Sequence, residues 1–333
     1  MKKKYFLGID VSKEWIDCCV VDPDGAVCLP YLQHANNYMG MAQMVAQVHK
    51  QLDISLNQLV IGFESTGRYS KLLSSFCAEY EYVYHELPGL EVKLSQGIQR
   101  GSNDQQAAHQ IALYIYMRNT QLSPSRPLSS AVQGLQDLLA YRHRLLKVKH
   151  ILGVANKELG KVHLSTIDQK LCNKGSVLLQ QIEQLIREHQ HTIDEHIDEH
   201  QNLKINFDLA TSVVGIGPVI AAYLIVYTNN FTRFESWRKL ACFTGTVPFA
   251  RSSGKKRGKP ANSSIGCKQL KAVLTKGAQA AMQWDPQIKA FAQRKIDQGK
   301  AYWQVVNAVK NKLLARVIAT VNRGTPYVKL QQA

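Results

Sequence analysis

The hydrophobic pattern of this chain changes character at Leu122-Ser-Pro-Ser-Arg-Pro127, and that change limits the folds open to it. Upstream, apolar runs too short for helices are separated by turn signals. The pattern predicts strands over 5–11, 15–21, 26–32, 59–64 and 82–87, with Asp22-Pro-Asp-Gly25 as a tight turn. Helical patterns fall over about 37–52, 69–80 and 104–118, the second after Thr66-Gly-Arg68. Hairpin strands followed by strands alternating with helices predict a mixed sheet with helices on its faces. Downstream the period lengthens. Val132, Leu135, Leu139, Arg142 and Leu146 keep a 3–4 spacing, as do Leu178, Ile182, Leu185 and Ile193. Two long helices joined near Thr166–Lys174 would form an antiparallel coiled-coil arm. A third, mainly helical region starts near Ala210. The expected class is α/β plus α, with domains at 1–122, 128–205 and 206–333.

Charge narrows the partners. The 333 residues carry 41 Lys and Arg against 25 Asp and Glu, a formal charge of +16. Such a surplus favours a polyanion, because each neutralised phosphate releases condensed counterions. The seven cysteines form no C-x-x-C pair, which predicts reduced thiols in a cytoplasmic protein and argues against a zinc ribbon. The basic start is followed by an apolar run too short for a secretion signal and interrupted by Asp10. No stretch is apolar for the length a membrane span needs.

Two acids, Asp10 and Glu64, close predicted strands, and Asp104 opens a predicted helix. On neighbouring strands the first two would emerge at one sheet edge. Carboxylates that converge without a cation repel one another, so such a group is a natural holder of Mg²⁺ for phosphoryl chemistry.

His189-Gln-His-Thr-Ile-Asp-Glu-His-Ile-Asp-Glu-His200 places His196 and His200 four apart on one helix face. The order is not H-E-x-x-H, and we read a solvated coiled-coil face. Val213-Val-Gly-Ile-Gly-Pro-Val219 resembles a helix-hairpin-helix turn, in which the amides of Gly215 and Gly217 would approach phosphates; a purely steric glycine turn is the other reading. From Ser236 to Trp284 there is no Asp or Glu. The same stretch holds Arg251, Lys255, Lys256, Arg257, Lys259 and Lys268 among aromatics and glycines. Nucleic-acid phosphate is the natural counterion. A serine in such a field is a candidate nucleophile, because positive charge lowers the cost of its alkoxide. By chemistry alone Ser252, Ser253 and Ser263 all qualify.

Phe6-Leu-Gly-Ile-Asp-Val-Ser-Lys13, Gly62-Phe-Glu-Ser-Thr-Gly67 and Arg100-Gly-Ser-Asn-Asp-Gln-Gln-Ala-Ala108 resemble the RuvC-like domain of bridge-RNA-guided insertion-sequence transposases and Piv-type DNA invertases. Phe243-Thr-Gly-Thr-Val-Pro248, Ser253-Gly254, Arg257-Gly258 and Ser263-Ser-Ile-Gly-Cys-Lys-Gln-Leu-Lys271 resemble that family's serine domain. The resemblance implies a RuvC-like (RNase H-like) first domain and a metal-assisted recombinase. Asp10, Glu64 and Asp104 would hold Mg²⁺, and Ser253 would form a phosphoserine link to double-stranded DNA. A structured bridge RNA would guide a homo-oligomer, dimer or tetramer. The family's fourth acid falls on Ala107, and its Lys before the third acid on Ser102. This departure keeps two other readings open: a RuvC-like nuclease that cuts with water, and a nucleic-acid-binding homologue with impaired catalysis.

Overall fold

The computed structural model describes residues 4–95, 97, 101, 103–161, 165–253, 256–262 and 265–328, with backbone alone at 250–253, 256–257 and 259–262. The described residues form seven strands and twelve α-helices in two compact units, Met1–Pro127 and Leu128–Ala333.

In the first unit, β1 (Tyr5–Val11), β2 (Trp15–Val21) and β3 (Val27–Ala35) form an antiparallel meander. Then follow α1 (Tyr38–Leu52), β4 (Leu59–Glu64), α2 (Arg68–Glu79), β5 (Val83–Leu87), α3 (Gly89–Ser95) and α4 (Asp104–Arg118). The sheet order is β3-β2-β1-β4-β5, and β1, β4 and β5 run parallel. This is the expected mixed sheet. Strand β3 runs three residues past its predicted end, to Ala35.

Both faces of the central strands are covered, which is why they read as continuous apolar runs rather than alternations. Leu7, Ile9 and Val11 pack with Met41, Met44, Leu73 and Phe76 of α1 and α2. On the opposite face Phe6 and Val60 pack with Ile111, Tyr114 and Ile115 of α4. Because side chains alternate along a strand, Gly8 and Asp10 share the α4 face with Phe6.

Gly8 and Gly62 are register partners on β1 and β4. A Cβ at Gly8 would lie 2.2 Å from the Ala108 carbonyl oxygen and 2.3 Å from the Ala112 nitrogen. One at Gly62 would lie 2.6 Å from Ile115 Cγ2. The two glycines let α4 lie directly on the strand backbones.

The second unit opens with an antiparallel hairpin of α5 (Ser130–Lys161) and α6 (Thr166–Glu199). The helices change over between Lys161 and Thr166, not across the predicted Thr166–Lys174. Ser165 caps α6 by accepting from the Asp168 amide (3.1 Å). Gly175 lies inside α6, where a Cβ would be 2.3 Å from Asn156 Oδ1 on α5. It permits close helix packing.

The hairpin seam keeps most of the expected positions. Val132, Leu135, Leu139 and Ile193 are buried and Arg142 and Ile182 are half-buried, whereas Leu146, Leu178 and Leu185 are exposed. At those three places the neighbours Leu145, Leu179 and Ile186 are half-buried instead, so the register is off by one residue there.

The base of the hairpin enters a larger helical core. Val132, Leu135, Leu139, Ile193 and Ile197 cluster with residues of α7 (Gln201–Thr211), α8 (Pro218–Tyr227), α9 (Trp237–Phe243), α10 (Lys268–Trp284), α11 (Pro286–Asp297) and α12 (Tyr302–Arg323). Helix α8 is buried around its whole circumference, which fits its uniformly apolar Val-Ile-Ala-Ala-Tyr-Leu-Ile-Val sequence. Between α9 and α10 lies a two-stranded ribbon, β6 (Pro248–Ser253) and β7 (Lys256–Asn262). Among the described residues no helix is long and apolar enough to cross a membrane.

Candidate active site

The acids come together through the fold just described. Ile9 of β1 pairs with Phe63 of β4, so Asp10 and Glu64 follow each other at the same sheet edge. Asp104 begins α4, capped by Asn103, whose Oδ1 accepts from the Gln106 amide at 2.8 Å. A carboxylate in a helix's first turn is favoured by the dipole. Ala108, Ile111, Ala112 and Ile115 bury against the sheet, and Asp104 extends that stripe by one turn, four residues before Ala108.

Electrostatics report the convergence. Burial and the negative charges of Asp104 and Asp17 raise the Asp10 carboxyl above the usual carboxylate range. Glu64 is raised by burial and by Asp10, with Lys93 of α3 pulling the other way. Two carboxyls whose charged forms are disfavoured, with a third acid beside them, fit a cation among them. Their oxygens are not tightly gathered: among the described residues only His196, Glu199 and His200 bring ligand atoms within 4.8 Å of one another.

Two features at this edge escape sequence reading. Asp17 is the antiparallel partner of Asp10 and is 2% exposed. Its Oδ1 accepts from Tyr31 Oη (2.6 Å) and Gln33 Nε2 (2.9 Å). It sits inside the apolar run Ile16–Val21, where only the pairing register reveals its face. Gly89 is the other. A Cβ there would stand 2.6 Å from Glu64 Oε2, so the glycine makes room for the carboxylate.

Ala107, in place of a fourth acid, is half-buried one turn after Asp104 and on the side of α4 that carries Ile111. Ser102 lies outside the described residues.

In the second unit Ser253 is the last residue of β6 and pairs with Lys256; Ser252 pairs with Arg257, and Arg251 with Gly258. Strand pairing thus sets the candidate nucleophile among basic positions 251, 256, 257 and 259. Lys255 and Ser263 fall outside the described residues. Lys268 is exposed at the start of α10.

The foot of the ribbon is held firmly. The Cys267 amide donates to the Phe243 carbonyl (2.9 Å), and Gly266 packs against Gly245, where a Cβ would meet Cα at 2.9 Å. Asn307 Nδ2 and Asn311 Nδ2 of α12 both donate to the Thr246 carbonyl, at 2.6 and 3.1 Å. Thr246 Oγ1 in turn donates to Asn311 Oδ1 at 2.6 Å. These asparagines lie on the last helix, far along the chain from the ribbon, and no local signal marks them.

The first acid after the basic stretch, Asp285, does not offset it. It is buried, caps α11 and is paired with Arg316 Nη1 at 2.6 Å.

The two turn glycines differ. Gly215 has φ +94, and a Cβ there would meet the Gly277 carbonyl at 2.6 Å. It packs α10 against the α7–α8 turn. Gly217 caps α8 with open space around its Cα, leaving its backbone approachable. His189 and His196 do not face solvent as expected: their Nε2 atoms bond the Leu138 and Ala131 carbonyls of α5, each at 2.8 Å.

Comparison with known proteins finds family matches over the stretches that hold both groups of residues. Residues 7–150 match the DEDD transposase model of the IS110 type, and residues 208–293 match the transposase family IS116/IS110/IS902. The chain is 24% identical to the pilin gene-inverting protein of Moraxella lacunata over 337 residues, 98% of each chain. Identity to the Moraxella bovis protein of the same name is also 24%, again over 98% of each chain. An uncharacterised 43.6 kDa protein of insertion element IS110 from Streptomyces coelicolor is 30% identical over 117 residues, 35% of this chain and 29% of its own length. The chain therefore carries the two domains of IS110-family transposases and is a homologue of the pilin gene-inverting proteins.

Proposed function

We propose that this transposase homologue recombines double-stranded DNA through a serine–DNA link, with Asp10, Glu64 and Asp104 as a cation site and Ser253 as nucleophile. The observation that carries this reading is the charge arrangement at the first sheet edge. Burial and the charges of Asp104 and Asp17 raise the cost of ionising Asp10, Asp10 in turn raises that of Glu64, and Asp104 is seated beside them by the packing of α4 on Gly8 and Gly62. A mixed sheet in which a meander runs into a parallel pair supports a RuvC-like first domain. Mg²⁺, when bound, supplies Lewis-acid stabilisation of charge on phosphoryl oxygens.

Ser253 Oγ attacks a DNA phosphorus. An O–P bond to serine forms as the phosphorus–oxygen bond to the adjacent sugar breaks. The serine proton ends on the departing sugar oxygen, which becomes a free hydroxyl. One phosphodiester replaces another, so the step reverses readily and the strand can be rejoined to a new partner. The basic positions Arg251, Lys255, Lys256, Arg257, Lys259 and Lys268 neutralise the phosphates flanking the cut. The Gly217 amide, at the start of α8, approaches a further phosphate, with Gly215 shaping that turn. Following the family resemblance, a structured bridge RNA pairs with donor and target DNA. The working form is a homo-oligomer, dimer or tetramer, in which the acids of one copy complete the serine site of another.

Incubation with co-purifying RNA, Mg²⁺ and end-labelled DNA should trap an adduct that survives denaturant. Ser253→Ala should abolish the adduct and leave DNA binding within about twofold, since one hydroxyl contributes little beside many neutralised phosphates. An adduct that persists in the variant, or moves to Ser252, overturns the assignment. Cleavage without any adduct favours a water-using nuclease. Ala107 supports a second reading, a homologue with impaired catalysis, which is tested below.

A further inference from the structure

We propose that the corner between α6 and α7 is a binding site for a divalent cation of the zinc class, held by His196, Glu199 and His200. The site lies wholly within the second unit and is independent of the acids of the first. A ring nitrogen of each histidine and a carboxylate oxygen of Glu199 all lie within 4.8 Å of one another. Two imidazoles and one carboxylate suit zinc, whereas an all-oxygen set suits Mg²⁺.

Proximity of three polar side chains is common, but here the histidines are also oriented. His196 Nε2 lies 2.8 Å from the Ala131 carbonyl of α5. A carbonyl only accepts, so Nε2 carries the proton and Nδ1 keeps its lone pair. His200 Nδ1 lies 2.8 Å from the His196 carbonyl, which fixes the proton on Nδ1 and leaves Nε2 as the free donor to a metal. Ligating histidines characteristically bond a carbonyl or carboxylate through the other ring nitrogen, which sets tautomer and ring angle before the metal arrives. Both histidines show that arrangement.

The backbone makes room for it. Gly134 of α5 faces the His196 ring, and a Cβ there would be 2.6 Å from His196 Cε1. Only glycine lets the ring lie flat against α5 and reach Ala131. A surface groove beside His196 and Glu199 is also lined by Gly134, Asp137 and Glu195, so two of the three ligands border open space and further carboxylates stand near them. His200 both ends α6 and caps α7. Bound metal would therefore brace the turn through which α6 passes into α7.

The test is a Zn²⁺ titration by calorimetry on the full chain carrying Asp10→Asn and Glu64→Gln, which removes the competing acids. One equivalent of Zn²⁺ should bind and raise the melting temperature, and a large excess of Mg²⁺ should not displace it. His196→Gln keeps a donor toward Ala131 but loses the ligand. It and His200→Gln should each weaken binding by more than about tenfold, the least that loss of even a supporting residue commonly costs a metal site. Gly134→Ala removes no ligand, yet it should weaken binding by displacing the ring. If a histidine variant fails to fold, Glu199→Gln, at an exposed position, must still weaken binding. Equal stoichiometry and affinity in the parent and the folded variants overturns the proposal, as does displacement by Mg²⁺.

Discussion

The two units of this chain divide its charge unequally. Residues 1–127 hold 11 Lys and Arg against 12 Asp and Glu, so residues 128–333 hold the remaining 30 against 13, and the whole surplus of +16 comes from the second unit. The first unit concentrates carboxylates at one sheet edge, held by strand pairing and a helix seated on glycines. The second spreads cations over a ribbon and the helix after it, and its Asp285 is already paired with Arg316. Net charge alone would make the entire protein a polyanion binder. Divided by unit, the surplus lies wholly in the second, so the expectation of a polyanion applies there and not to the first.

The division can be broken most decisively at Asp10. Asp10→Asn should reduce DNA cleavage below detection while leaving nucleic-acid affinity nearly unchanged. The same variant should melt higher than the parent in chelator at neutral pH. Asp10 binds its proton more tightly folded than unfolded, because burial, Asp104 and Asp17 raise it. Its ionised form therefore costs stability above that raised value, and the cost disappears as pH falls through it. The melting difference should accordingly close in acid. A variant that loses nucleic-acid binding, or a difference that persists in acid, contradicts the assignment of charge to the first unit.

A smaller effect is expected in the second unit. Reversing Lys255, Lys256 and Arg257 to Glu should weaken RNA or DNA binding by more than about tenfold. Its salt dependence should flatten by about one in slope for each phosphate no longer neutralised. Mg²⁺ affinity should not move. Binding that is flat with salt in the parent would remove the electrostatic argument.

The smallest effect is expected at Ala107→Asp, which adds a carboxylate one turn from Asp104. Mg²⁺ affinity should rise severalfold, and cleavage should rise with it if the parent is impaired. No change in either would place residue 107 away from the cation.

The first unit was legible because its signals are local. Strand ends carry the acids, Asp22-Pro-Asp-Gly25 marks the turn, and Asn103 caps the helix that Asp104 begins. What was missed there depends on register: Asp17 is one residue in an apolar run until pairing sets it opposite Asp10. In the second unit the family resemblance around the ribbon was legible, but what holds the ribbon's foot was not. Asn307 and Asn311 reach Thr246 only through the packing of α12. The hairpin misled for a related reason. His189 and His196 resemble surface residues, because a sequence does not show that an opposing helix offers a carbonyl.

The glycines beneath α4 carry a consequence for diagnosis. Each stands two residues before an acid, Gly8 before Asp10 and Gly62 before Glu64, so each shares a sheet face with the acid that follows it. A Gly-x-acid spacing on two neighbouring parallel strands therefore works as a ruler. The bare position tells where a helix rests, and the acid marks a carboxylate on the same sheet face two residues further along the strand. In an unfamiliar chain, a pair of such triplets would name the third partner in advance: the first turn of whichever helix carries small residues such as Ala108 and Ala112 at i and i+4.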